Sequence, residues 1–234
     1  MANIYKNRAK KQKHLAKGGR MKTIAIGTTK GGAGKTTLTT NLAIAAALRG
    51  HSVLIIDADP QGSSISFRSL RDNDLVSAAQ ITTPTLHKDL VKFSASIDIC
   101  FIDIGAGHPK VFKSAIAAAD LLVIPVLPSP YDLWATGNTI DILEDARSFD
   151  ITTPARSVLN QTIKGTIMMK ETREALEPII AAAPLLNSQI THRQVFKNAV
   201  AAAQGVVEYD KQSPAVEEIN NLLDEILNII ETNK

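Results

Sequence analysis

Two lysines, Lys30 and Lys35, frame the stretch of the chain best equipped for chemistry. Residues 28–40 read TTKGGAGKTTLTT, and Gly31, Gly32, Ala33 and Gly34 lie between the two lysines. Glycines let the backbone curl until successive N–H groups point inward, the arrangement that holds phosphate oxygens. A helix opening at Lys35 adds unpaired N–H groups and the positive end of its dipole. Lys35 is then placed to reach the β- and γ-phosphates of a nucleotide. The Thr36 hydroxyl can ligate Mg²⁺, and Thr37 can reach the α-phosphate. The ordinary GxxxxGK[ST] pattern fails at its first glycine, where this chain has Thr29. The pattern that is complete is KGGxGKT, which leaves Lys30 as a second cation at the mouth of the same loop. A glycine-rich turn that merely has lysines nearby would not account for a strand before it, a helix after it and GKTT between.

Carboxylates end two further strands. LIIDADPQGS (54–63) closes in Asp57 and Asp59, and strand alternation puts both on one side. CFIDIGAG (100–107) closes in Asp103. IPVLPSPYDLWATG (124–137) carries Pro125, Pro128 and Pro130, which fix the chain as it leaves a strand. The single cysteine, Cys100, can make neither an internal disulfide nor a CxxC metal site. The five histidines show no ligand spacing.

These groups need elements to position them. Apolar runs of strand length alternate with helical stretches from Met21 on. KTIAIGTT (22–29), SVLIID (52–57), IDICFIDIG (97–105), LLVIPV (121–126) and RSVLN (156–160) read as strands, and the continuous apolar ones as strands buried on both faces. Helices are expected over 35–50, 110–119, 132–148, 166–183, 193–203 and 214–231, with two more around a short strand near Ile81 in the stretch 62–95. Strands alternating with helices predict an α/β fold: a doubly wound, mostly parallel sheet with helices on both faces. No repeat, linker or second domain is visible. The domain is expected over 21–234, preceded by a basic extension. Residues 1–20 hold seven of the 26 Lys and Arg and no acid, which leaves 19 bases against 23 acids, a net −4, for the rest. A block of like charge is expected to be disordered and to favour polyanions. It could equally be a solubilising extension or an added leader, since MKTIAIG looks like a native start. No window of about 18 uninterrupted apolar residues predicts a membrane span.

KGGxGKT is the signature of the deviant Walker A ATPases, and the chain resembles the ParA/MinD superfamily, most of all its small, ParF-like partition ATPases. The resemblance extends over about 22–232, through DADPQGS, DIGAG, the proline-rich segment and ITHRQVFKNAVAAAQGVVEYD (190–210). It implies a P-loop Mg-ATPase with ATP and Mg²⁺ as cofactors. Lys30 would cross a dimer interface to the phosphates of the partner's nucleotide, and an extra cation there stabilises the charge on the oxygens of a transferring phosphoryl group. Asp59 would orient or activate the attacking water. Thr36, Asp57 and Asp103 would hold the Mg²⁺ shell. The Pro128 segment would line the adenine and the dimer face. Asn160 would hydrogen-bond the base, although an Asn ending a strand is also an ordinary turn residue. Arg193, with Lys197 a turn later on the same helical face, would bind DNA; an ordinary solvated helix edge is the alternative. The implied partners are a second copy of the chain on ATP binding, non-specific DNA and an adaptor or centromere-binding protein that stimulates hydrolysis. The implied role is plasmid or chromosome partitioning in a cytoplasmic, nucleoid-associated protein. Positioning of conjugation or secretion machinery is an alternative with the same chemistry. A MinD-like membrane cycle is disfavoured, because the C-terminal helix PAVEEINNLLDEILNIIETNK is acidic and anionic lipid would repel it.

Overall fold

β2 (Val53–Asp57), β4 (Ile99–Asp103) and β5 (Leu121–Val126) are buried at every position. Strands that are apolar on both sides need cover on both faces of their sheet, and the fold supplies it. The computed structural model describes residues 20–163 and 180–232. Besides those three strands it contains β1 (Lys22–Ile26), β3 (Ser77–Gln80), β6 (Ala155–Thr162) and β7 (Leu185–Thr191). The seven strands form one sheet in the order β3-β2-β4-β1-β5-β6-β7, and every pairing is parallel.

The helices are α1 (Lys35–Leu48), α2 (Ser63–Ser69), α3 (Leu86–Asp89, followed by a 3₁₀ turn), α4 (Pro109–Ala118), α5 (Pro130–Arg147), α6 (Gln194–Ala201), α7 (Val206–Tyr209) and α8 (Pro214–Thr232). Two cores result. Ile24, Ile26 and Phe101 meet Leu38 and Leu42 of α1, Phe67 of α2 and Ile219, Leu222 and Ile226 of α8 on one face. Ala25, Cys100 and Ile102 meet Phe112 and Ile116 of α4 and Leu143 of α5 on the other. β4 lies between β1 and β2, in the registers Ile26↔Asp103 and Asp57↔Asp103. That insertion brings two acidic strand ends side by side next to the loop that follows β1, at the point where the strand order reverses and ligands bind in open α/β sheets.

The differences from the sequence reading lie at the margins. The strand expected over 22–29 stops at Ile26, because the loop begins to turn before its glycines. The strand near Ile81 is Ser77–Gln80 and ends just before that residue. β7 was not expected. It is the last strand at one side of the sheet, and LLNSQIT alternates with too many polar residues to read as buried. The expected helix over 166–183 falls outside the described residues except for its last four, which turn. Residues 1–19 also lie outside them.

Candidate functional site

The glycine loop is held from both flanks. On one side the Thr29 N–H donates to Thr139 Oγ1 (3.1 Å), and the Thr29 hydroxyl donates to the Ala135 carbonyl (3.0 Å), both on α5. The residue that breaks the ordinary P-loop pattern is thus a tether. On the other side, in the last residues of β6, Asn160 Nδ2 donates to the Ala33 carbonyl (2.7 Å) and Gln161 Nε2 to the Gly32 carbonyl (3.1 Å). Gly34 has φ +84°, and a Cβ there would lie 2.4 Å from Asn160 Nδ2, so only glycine fits between loop and strand. α1 then starts with neither an acid in its first turn nor a side-chain cap, which leaves its first N–H groups for a ligand.

The charged groups converge at this helix start. Lys35 is buried, and its Nζ donates to the Lys30 carbonyl (2.7 Å). Burial lowers the Lys35 pKa, against the opposing pull of Asp103 and Asp59. Asp103 Oδ2 accepts from the hydroxyls of Thr36 and Ser64, each at 2.7 Å. Burial pushes Asp103 up to about 6, with those two hydroxyls and Lys35 resisting and Asp57 adding to the rise. Asp57, wholly buried, is raised by burial too, and it accepts the N–H groups of Asp59 and Ile65 at 3.0 Å each. Asp59 sits beyond the strand, half-buried, accepting the Gln61 N–H (2.9 Å). A Cβ on Gly105 would lie 2.7 Å from Asp59 Cγ, so that glycine is what lets the two loops meet.

Thr36, Asp57 and Asp103 make a hard oxygen donor set of the kind Mg²⁺ takes, with phosphate oxygens and water to complete it. Two neighbouring buried carboxylates whose charged forms are both disfavoured fit a divalent cation, whose charge favours their ionised forms.

Two cavities share the loop. One, of about 510 Å³, is lined by Gly31, Lys35, Thr36, Asp59, His108 and Gln161 among others. The second, of about 310 Å³, shares Gly34, Thr37 and Gln161 with it and continues along Leu38, Ile190, Arg193 and Phe196.

The structure brings Lys30, the glycine loop, Thr36, Thr37, Asp57, Asp59, Asp103 and Asn160 to one place. Pro128 is half-buried in the turn after β5. Arg193 does not share a helical face with Lys197: it precedes the helix, with extended backbone (φ −138°, ψ 139°), and α6 starts at Gln194. Its Nη2 donates to Glu218 Oε1 (2.9 Å), while Lys197 is exposed on α6. Sequence reasoning missed Ser64, Gln161 and Thr139. Ser64 had a signal, since it is the second residue of the helix that starts directly after DADPQG. The other two are brought in only by long-range packing.

Residues 24–207 match the family model of the CobQ/CobB/MinD/ParA nucleotide binding domain. The chain belongs to this family. It is a ParA/MinD-type ATPase. The chain is 32% identical over 218 residues to maintenance of carboxysome distribution protein A of Halothiobacillus neapolitanus, covering 88% of this chain and 96% of that protein. An ATP complex of McdA from Cyanothece superposes with TM-score 0.76 at 18% identity, covering 90% of this chain and 98% of that one. MinD from Pyrococcus horikoshii, complexed with Mg-ADP, superposes with TM-score 0.69 at 19% identity, covering 88% and 96%. At these identities the two structures show a shared fold. Among the described residues no helix is long and apolar enough to cross a membrane.

Proposed function

We propose that this ATPase binds Mg-ATP, pairs with a second copy of itself and uses the paired state to position a large cargo on DNA. The observation that carries the reading is the convergence of Lys35, Thr36, Asp57, Asp59 and Asp103 around one glycine loop whose mouth holds a second lysine. Lys35 would meet the β- and γ-phosphates. Thr36, Asp103 and Asp57 would hold Mg²⁺, which would supply charge neutralisation at the phosphates. Asp59, next to Lys35 in the same cavity, would orient the attacking water. Asn160 would support the base side, through its bond to the loop and through whatever its amide leaves for the base. Lys30 would act on the partner's nucleotide, which would make the competent site depend on pairing. Pro128 and the segment around it would lie near the paired face.

The cargo reading follows the relatives. Partitioning of plasmid or chromosome DNA fits the sequence resemblance. Distribution of a protein-bound compartment is favoured by the near full-length match to a carboxysome distribution protein. An adaptor that stimulates hydrolysis would link the cargo in either case; a MinC:MinD cell division protein complex from Aquifex aeolicus is an example of another member of this fold with a protein partner.

DNA contact would fall to Lys197 and to the basic residues of the segment 1–20. Two copies of a weak patch on one side of a dimer multiply their effect. Contacts made mainly to phosphate carry little sequence preference. Duplex binding measured against salt tests this: it should require ATP and lose about 0.9 in the slope of log K against log salt for each phosphate contact removed. Binding that ignores nucleotide and vanishes when residues 1–20 are deleted would place the DNA contact in that segment alone.

A further inference from the structure

We propose that Arg193, held by Glu218 of the C-terminal helix, is a contact to the nucleobase half of the nucleotide and not part of a DNA-binding face. The inference rests on reading the loop cavity as a nucleotide site. The two cavities share Gly34, Thr37 and Gln161, so a nucleotide whose phosphates lie against the start of α1 extends its sugar and base into the second one. Leu38, Ile190 and Phe196 give that cavity apolar walls, which suit a flat heterocycle. A base that presents ring nitrogens to such walls needs a few placed donors. The cations lining it are Arg193 and Lys197, with His192 beside them.

Arg193 is arranged unlike a surface arginine. Glu218 accepts three hydrogen bonds at once: from the Thr191 N–H (3.0 Å), from the Thr191 hydroxyl (2.7 Å) and from Arg193 Nη2 (2.9 Å). Burial works to raise Glu218, but the bonds from Arg193 and Thr191 hold it below the usual carboxylate range, so it is ionised and fixed. The stretch 191–193 is thereby fastened to α8. Because Arg193 precedes α6 in extended conformation, its side chain leaves the backbone at the wall of the cavity and not from the helix surface. Its side chain is only 25% exposed, and among the described residues its buried Nε has no hydrogen-bond partner. A DNA-contacting arginine needs its fork turned to solvent and free for phosphate. This fork is mostly covered, has one edge committed to a carboxylate and lies against the nucleotide cleft. Glu218 acts through Arg193 and is the positioning residue of the pair. Its place on α8 makes the C-terminal helix part of the nucleotide site.

The test compares two ligands that differ only beyond the phosphates: Mg-ATP and Mg-tripolyphosphate, titrated by calorimetry into wild type, Arg193→Met and Glu218→Gln. Arg193→Met is expected to weaken ATP by about 10–100-fold, the range of one charge-assisted hydrogen bond, and to leave tripolyphosphate within about twofold. Glu218→Gln, which keeps an acceptor for Thr191, is expected to weaken ATP by less, about 3–10-fold, again sparing tripolyphosphate. Tripolyphosphate binding reports in the same samples that the loop is folded. Unchanged ATP affinity in Arg193→Met, together with a shallower salt slope for duplex DNA, would overturn the inference and return Arg193 to a DNA face. An equal loss of both ligands would overturn it too, because the pair would then only brace the fold. A wild-type chain that binds neither ligand would overturn the nucleotide reading itself, and the inference with it.

Discussion

At the glycine-loop end of the cleft the acidic groups come from strand ends in the middle of the sheet. Asp57 and Asp103 are paired neighbours on β2 and β4, and the loop leaves β1 next to them. At the other end, along the second cavity, the groups come from the side of the sheet, where β6 and β7 pair with register shifts. There side chains take over the work of a neighbouring strand. Glu225 accepts the N–H groups of Asn187 and Ser188, and Glu218 accepts that of Thr191. The first region is fixed by burial on both faces, so its chemistry is set by desolvation. The second is fixed by a few carboxylates on one helix, so its geometry can be altered by single substitutions. A central site of this kind should fail outright when its charges are changed. A peripheral one should be tunable.

Lys35→Ala should have the largest effect. It removes the buried cation nearest the phosphates, and ATP binding followed by calorimetry should fall below detection. Near-normal affinity in that variant would break the assignment of the central region. Asp59→Ala should bind ATP and turn it over about 10²–10⁴-fold more slowly, the worth of a positioned general base. Phosphate release in single turnover would read this. Normal turnover in Asp59→Ala with loss in Asp57→Ala would exchange the two carboxylate roles.

Desolvation of Asp103 has a pH signature. Asp103 is raised from 3.8 to about 6 in the folded chain. Between those values the folded state keeps a proton that the unfolded state releases. The stabilising effect is full below about pH 4 and is lost as pH rises through 6. Ionised Asp103 therefore destabilises the nucleotide-free chain by about 3 kcal/mol at pH 7. Asp103→Asn should raise the denaturation midpoint at pH 7.5, and the advantage should shrink towards zero near pH 4. An advantage that stays constant with pH would mean that the carboxylate is not penalised by burial.

The same contrast explains what the sequence could reveal. The loop, its helix and the acidic strand ends are local patterns, so Lys30, Lys35, Asp57, Asp59 and Asp103 could be singled out from spacing and resemblance. What spacing cannot state is that β4 inserts between β1 and β2, and that insertion is what makes neighbours of Asp57 and Asp103. The Thr29–Thr139 and Gln161–Gly32 contacts join residues more than a hundred positions apart and leave no local trace. β7 was invisible because its polar positions are satisfied by Glu218 and Glu225, which belong to a helix that reads simply as acidic and amphipathic. The sequence pattern puts Arg193 on a helix, whereas its extended backbone puts it one residue outside.

Lys30 would serve the nucleotide of a second copy, and light scattering on Lys30→Ala with Mg-ATP is the sharpest test of that role. Wild type should double its mass on adding ATP. Lys30→Ala should still bind ATP in calorimetry, because Lys35 and the loop N–H groups remain, yet stay a monomer and lose turnover. A Lys30→Ala chain that forms the ATP dimer at wild-type concentrations and hydrolyses ATP at the wild-type rate would show that Lys30 does not act on the partner's nucleotide.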